Sequence, residues 1–218
     1  RGGATAIEDA DPLTGALPYR ATLAPKVTVR STGDAGERED DVTAQVELYG
    51  PADVIGIDPR HVLRTDPRDG TTTFEPNYFP SIELELPDLP WLFTPAAADA
   101  QGRIRPWVVL IALADGEYTV PDRAPDPLPA IEIASAASLP ELSESWAWAH
   151  VQVSSGLGGS SLADAIASDP ARVTSRLVCP RQLSEKTRYT AFLVPAFDLG
   201  VKAGLGEEQE DAVRGEGR

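Results

Sequence analysis

Trp107-Val108-Val109-Leu110-Ile111-Ala112-Leu113 is apolar at every position, odd and even alike. A strand with one face in water alternates polar and apolar residues, so this run predicts a strand covered on both faces. Its apolar stretch, Trp107 to Ala114, is far short of the roughly 20 residues a membrane helix needs. Upstream, Ser81-Ile82-Glu83-Leu84-Glu85-Leu86 alternates cleanly. It predicts a half-buried strand with Ile82, Leu84 and Leu86 inward and Glu83 and Glu85 in water.

Further out, Lys26-Val27-Thr28-Val29-Arg30 and Val42-Thr43-Ala44-Gln45-Val46-Glu47-Leu48-Tyr49 alternate in the same way. They predict a hairpin joined by a long charged loop over residues 33–41, the second strand ending at Gly50-Pro51. Short strands are expected at Val54-Ile55-Gly56-Ile57 and Ile131-Glu132-Ile133. Arg176-Leu177-Val178-Cys179 and Tyr189-Thr190-Ala191-Phe192-Leu193-Val194 add two more. Pro76, Pro80, Pro87, Pro90, Pro95 and Pro106 punctuate the aromatic stretch between the strands. Proline cannot donate to a ladder, which makes these segments strand ends, edges or extended loops.

Helical signals come later. Ser138-Leu139-Pro140-Glu141 has the form of a capping box, and Leu142, Trp146, Ala149 and Val153 then fall on one helical face. Trp148 points off that face and needs a second surface to cover it. Ser161 with Asp164 starts a second helix that Asp169-Pro170 halts, and residues 197–203 form a last turn or two capped by Gly204. The class is therefore α+β, a mainly antiparallel β-sheet core with a few short helices in the second half. One β-rich domain is expected over 17–205, with a linker or frayed terminus at 1–16 and an acidic linker or tail at 206–218. The chain starts at Arg1 and contains no Met, as an excerpt of a longer polypeptide would; residues 1–5 carry no signal-peptide core.

Charge narrows the partners. Thirty-four acidic against 19 basic residues give −15 over 218 residues, a field that repels phosphate backbones and argues against nucleic acid. Only Lys26, Lys186 and Lys202 are lysine. Two explanations fit: solubility in concentrated salt, where screening suppresses carboxylate repulsion, or a genome biased towards Arg.

The chemistry-bearing residues each have a plainer explanation. Gly156-Leu157-Gly158-Gly159-Ser160-Ser161 lacks the lysine of a phosphate loop and follows a predicted helix, so it is a helix–helix linker. Asp66-Pro67-Arg68-Asp69-Gly70 lacks the distal ligands of a calcium loop and is a surface turn. Glu83 and Glu85 resemble a glycosidase pair only in their spacing. Cys179 is a small buried apolar residue, His150 a boundary histidine, and His61 sits between Arg60 and Arg64 where it could meet an acidic surface. No catalytic residue, cofactor, metal site or small-molecule ligand is expected. The aromatic residues remain, with Trp91, Trp107, Trp148, Tyr78 and Phe79 as candidate protein-interface anchors.

Five strings occur together and in order: Phe74-Glu75-Pro76-Asn77-Tyr78-Phe79-Pro80, Pro87-Asp88-Leu89-Pro90-Trp91-Leu92-Phe93-Thr94-Pro95-Ala96, Arg103-Ile104-Arg105-Pro106-Trp107-Val108-Val109-Leu110, Glu144-Ser145-Trp146-Ala147-Trp148-Ala149-His150 and Arg176-Leu177-Val178-Cys179-Pro180-Arg181. Over residues 54–205 the set resembles a poorly characterised family encoded with extracellular contractile injection systems, which are phage-tail-like particles. The resemblance implies a non-enzymatic structural part at or near the baseplate, with other subunits as partners. It implies assembly in the cytoplasm followed by release as part of an extracellular particle. A carbohydrate-binding adhesin or tail-fibre module, with a Trp-lined groove, is the alternative. A hydrolase with two converging carboxylates is a third reading.

Overall fold

The structure, a computed structural model, describes residues 22–33, 36–44, 46–47, 50–54, 56–121, 129–154 and 156–207. The expected tail at 1–16 lies outside the described residues, as does that at 206–218 apart from Gly206 and Glu207, of which Gly206 caps the last helix. β1 (Thr22–Leu23) and β2 (Lys26–Gly33) run out, and β3 (Gly36–Thr43) and β4 (Val46–Glu47) return. One antiparallel register holds throughout, from Thr22↔Glu47 through Val27↔Val42 to Gly33↔Gly36. The expected acidic loop is thus corrected, because Gly36 to Asp41 are strand. Cross-strand pairing offsets their charge: Lys26 Nζ lies 2.7 Å from Asp41, and Arg30 Nε donates to Glu39 at 2.8 Å. Of the predicted second strand, Gln45, Leu48 and Tyr49 lie outside the described residues.

Val54, Gly56 and Ile57 carry no strand, a second correction, and Ile55 is not described. Val54 and Ile57 pack on the core instead. A 3₁₀ turn, Pro59–His61, follows, with Asp58 accepting from the Arg60 amide. β5 (Val62–Asp66) pairs with β6 (Ser81–Leu84), which buries Ile82 and Leu84. β6 stops short of Leu86, whose side chain is exposed. The reason is local: the Glu85 amide turns to the His61 carbonyl at 2.9 Å, and Pro87 cannot continue a ladder.

β7 (Val108–Ala114) is followed by the short pair β8 (Tyr118–Thr119) and β9 (Glu132–Ile133), then β10 (Ala149–Val153). α1 (Leu162–Ser168), β11 (Val173–Val178), β12 (Tyr189–Pro195) and α2 (Asp198–Leu205) complete the chain. Four strands form an antiparallel sheet in the order β10-β11-β6-β5, and β7 pairs antiparallel with β12. The class is α+β and mainly antiparallel.

β7 shows why its sequence has no polar position. Val108, Leu110 and Ala112 join Ile82, Leu84, Leu177 and Cys179 in one core. Val109, Ile111 and Leu113 point the other way, into a second core with Ala196 and Phe197. Each fully buried Leu, Ile or Val contributes about 1.5–3 kcal/mol relative to exposure, so this strand anchors both layers.

The predicted helix over 142–153 is also corrected. Leu142–Ala147 is a 3₁₀ helix, and β10 begins two residues later. The apolar spacing that mimics one helical face is shared between two elements. Ala149-His150-Val151-Gln152-Val153 instead makes a full ladder with β11, from Ala149↔Leu177 to Val153↔Val173. Ser138 closes a separate 3₁₀ turn, Ala136–Ser138, and Glu141 itself caps the next by accepting from the Ser143 amide. The glycine-rich loop consequently joins a strand to α1, not two helices. α1 does carry the expected reciprocal cap between Ser161 and Asp164. α2 runs to Leu205 and is capped by Gly206 in the left-handed region at φ 70°, two residues beyond the predicted Gly204.

Candidate interface surface

The residues expected to meet other proteins divide into core and surface. Trp107 is a core residue, 4% exposed. Its indole N–H donates to the Leu89 carbonyl at 2.6 Å, and its ring stands edge-on to Phe93 at 5.4 Å. It has no face to offer a partner, which corrects its assignment as an interface anchor. The proline-rich turns explain the burial: Pro90 and Pro106 are buried beside it, and the Trp107 amide donates to the Pro90 carbonyl at 2.8 Å.

Trp91 is half-buried against the same core and donates its indole N–H to Ile104 O at 3.1 Å. Trp148 is half-buried against the second core. The second surface it needs comes at least partly from this chain. The Arg103 guanidinium covers Trp146, 4.4 Å from the ring centre. None of the four tryptophans is exposed.

Tyr78 and Phe79 behave differently, at 66% and 52% exposed. They stand on the loop that enters β6. The Tyr78 amide closes a turn onto Glu75 O at 3.0 Å. Pro80, next in sequence, is buried, and its carbonyl accepts from the Cys179 amide at 2.8 Å. The loop is pinned at its base and presents two neighbouring aromatic rings to solvent. Leu63 on β5 and Leu92 are also exposed.

The sequence reading missed a second surface. Val27, Val29 and Val42 share one face of the β1–β4 hairpin and are 58%, 50% and 55% exposed. The signal was present in the alternation of residues 26–30. The same alternation that marks a strand also marks an apolar side.

Several of the charged groups are paired. Arg176, opposite Glu83 on β11, bonds to its carboxylate; Gln152 Nε2 donates to Glu83 at 3.3 Å, and Arg64 stands at 3.9 Å. The Arg176 guanidinium pulls Glu83 below the usual carboxylate range. Glu83 is thus partly buried in a network, where exposure had been expected. Glu85 turns to His61 Nδ1 at 3.3 Å. The two glutamates therefore have separate partners, and Glu83 is held ionised where a general acid must hold a proton.

The Arg181 guanidinium pulls the Glu117 pKa from 4.5 to about 2. The two side chains meet in a fork, Nη1 at 2.5 Å and Nη2 at 2.8 Å. The Ala114 amide also donates to Glu117 at 2.7 Å, and Arg181 reaches Ala112 O at 3.0 Å. This clamp fastens the segment after β11 to the end of β7. Asp41, Asp58, Asp99 and Asp164 are likewise shifted down by their hydrogen bonds.

Cys179 is buried, and burial pushes its thiol up, away from nucleophilic use. His150 is exposed on β10, opposite Arg176. Residues 66–70 form a surface turn, with Thr71 donating twice to Arg68 O. Among the described residues no cluster of three or more His, Cys, Asp or Glu could hold a metal ion. No helix among them is long and apolar enough to cross a membrane. Comparisons with protein-family models, curated proteins and solved structures returned no match.

Proposed function

We propose that this chain is a non-enzymatic structural subunit of a contractile injection particle, placed at or near the baseplate and acting through protein–protein interfaces. The carrying observation is the exposed Tyr78–Phe79 pair, which lies inside one of the strings that resemble the injection-system family. Two adjacent aromatic rings on a loop pinned by Pro80 are preorganised anchors, and such anchors carry much of the energy of protein interfaces. The charged groups support the same reading. Among the described residues the perturbed carboxylates are pushed towards ionisation by bonding partners, as scaffold ion pairs are, and none of those is raised as a catalytic acid would be. In this reading the chain assembles with its neighbours in the cytoplasm and leaves the cell within the finished particle.

Deletion of the gene tests the proposal. Particles purified from the deletion strain should lack one defined component and fire poorly. Restoring the chain with Tyr78→Ala and Phe79→Ala together should leave it folded but absent from the particle. Intact, fully firing particles from the deletion strain would falsify the assignment.

A further inference from the structure

The β1–β4 hairpin keeps one register from Thr22↔Glu47 to Gly33↔Gly36, a ribbon roughly 40 Å long at the usual rise per residue. Its described side chains from Ala24 to Ser31 and from Arg38 to Ala44 are all exposed. Among the described residues no other strand pairs with it; a two-stranded ribbon by itself is marginal in water, so something is expected to cover it.

Its free edges indicate what. The Ala44 amide donates to Pro25 O at 3.2 Å, which marks that pair as hydrogen-bonded. Bonded and non-bonded pairs alternate along an antiparallel ladder. Val27↔Val42 and Val29↔Asp40 therefore turn their backbone groups inward. Lys26, Thr28 and Arg30 on β2, and Glu39 and Asp41 on β3, turn their N–H and C=O groups outward. The free edge of β2 is thus cationic and that of β3 anionic. Charged edges ordinarily keep strands from pairing. That protection works only when the approaching edges share a sign, and these two are complementary.

We propose that the hairpin is a self-association surface: β3 of one copy takes β2 of a second copy as an added antiparallel strand. Glu39 and Asp41, held by Arg30 and Lys26 within their own ribbon, then face the same two cations from the next one. On the other face, Val42 of one copy lies beside Val27 and Val29 of the next. Face-to-face packing of the valines alone would cover a few hundred Å² per copy, against roughly 800 Å² in a stable complex, so the edge carries the contact. The strong twist of ribbons fans successive copies apart. Because the two edges differ, pairing is head-to-tail and builds a ring or a series, not a closed pair. The inference concerns the free chain and stands whether or not the particle assignment holds.

Sedimentation velocity on the full chain, from sub-micromolar to near-millimolar concentration, tests it. The weight-average mass should at least double. Thr28→Pro removes an outward donor on β2 and Glu39→Pro one on β3, each without touching a backbone bond inside the hairpin, although the Thr28–Asp41 and Arg30–Glu39 side-chain bonds go with them. Each variant alone should stay monomeric, while their equimolar mixture should form a dimer and stop there. A monomeric wild-type chain throughout, or self-association by either variant alone, overturns the proposal. A second measurement covers the case in which proline melts the ribbon. In the wild-type chain, amide exchange at Thr28, Arg30, Glu39 and Asp41 should slow on the order of tenfold at high concentration. Unchanged exchange there overturns the proposal as well.

Discussion

Replacing Trp107 with phenylalanine separates a tryptophan that holds this chain together from one that holds it to others. In the structure the indole N–H donates to Leu89 O at 2.6 Å, and the Leu92 amide is a weaker second donor to that carbonyl at 3.4 Å. Phenylalanine keeps a ring near Phe93 but removes the donor, leaving Leu89 O with the long bond alone. Loss of a buried partner costs about 1–2 kcal/mol here, at the lower end because the Leu92 bond survives. The missing five-membered ring gives up about 40 Å² of buried apolar contact, or about 1 kcal/mol. The sum is about 2–3 kcal/mol, a fall of roughly 5–10 °C in Tm for a domain of this size. Urea unfolding at equilibrium should show a lower midpoint at unchanged slope. Tyr78→Ala and Phe79→Ala should each move stability by less than about 0.5 kcal/mol, as exposed substitutions do. A Trp107→Phe chain as stable as wild type, or a Tyr78→Ala chain that loses as much, would refute this division of core from surface.

The Glu117–Arg181 clamp sets a dependence on acid. A carboxylate whose folded pKa is lowered from 4.5 to about 2 stabilises fully above about pH 4.5, and that contribution fades as pH falls towards 2. Arg181→Met should therefore narrow its stability gap from wild type across that window; a gap constant with pH counts against the clamp. Gly200→Ala places a Cβ 2.9 Å from Pro195 Cβ, on a ring that cannot swing away. It should destabilise by about 1–3 kcal/mol despite alanine's better helix propensity, and a neutral result in urea unfolding would mean α2 shifts freely. With a net charge of −15, thermal stability should climb between about 0.1 and 2 M salt. A flat profile in calorimetry would leave compositional bias as the reason for the scarce lysines.

The fold was legible where burial alone decides the pattern. Val108–Ala114, Ser81–Leu84 and Tyr189–Pro195 are strands because their side chains sort by face, and the residues themselves carry that sorting. It was illegible where long-range pairing overrides a local signal. Gly36 to Asp41 has the composition of a loop, and only its alignment with Lys26, Thr28 and Arg30 makes it a strand. Leu142, Trp146, Ala149 and Val153 keep helical spacing, yet β11 provides a ladder for the last two and the helix ends at Ala147.

The same distinction governs the candidate surface. Tryptophan count says how much aromatic area the chain owns, not which way it faces. Trp107 turns inward because Leu89 O is there to accept its N–H, and Trp91 is tied to Ile104 O in the same way. Both acceptors lie on proline-interrupted loops whose paths follow from no periodicity. Tyr78 and Phe79 stand between Pro76 and Pro80 and are exposed, while Pro80 is buried. Valines 27, 29 and 42 face water for the opposite reason, since among the described residues β2 and β3 pair only with each other. On the proposed reading the adhesive surface lies on the exposed aromatic pair and the edge-complementary ribbon, whose exposed side chains are not among the buried core. Mutations in those elements should therefore disturb assembly before they disturb folding, the reverse of what Trp107 should show.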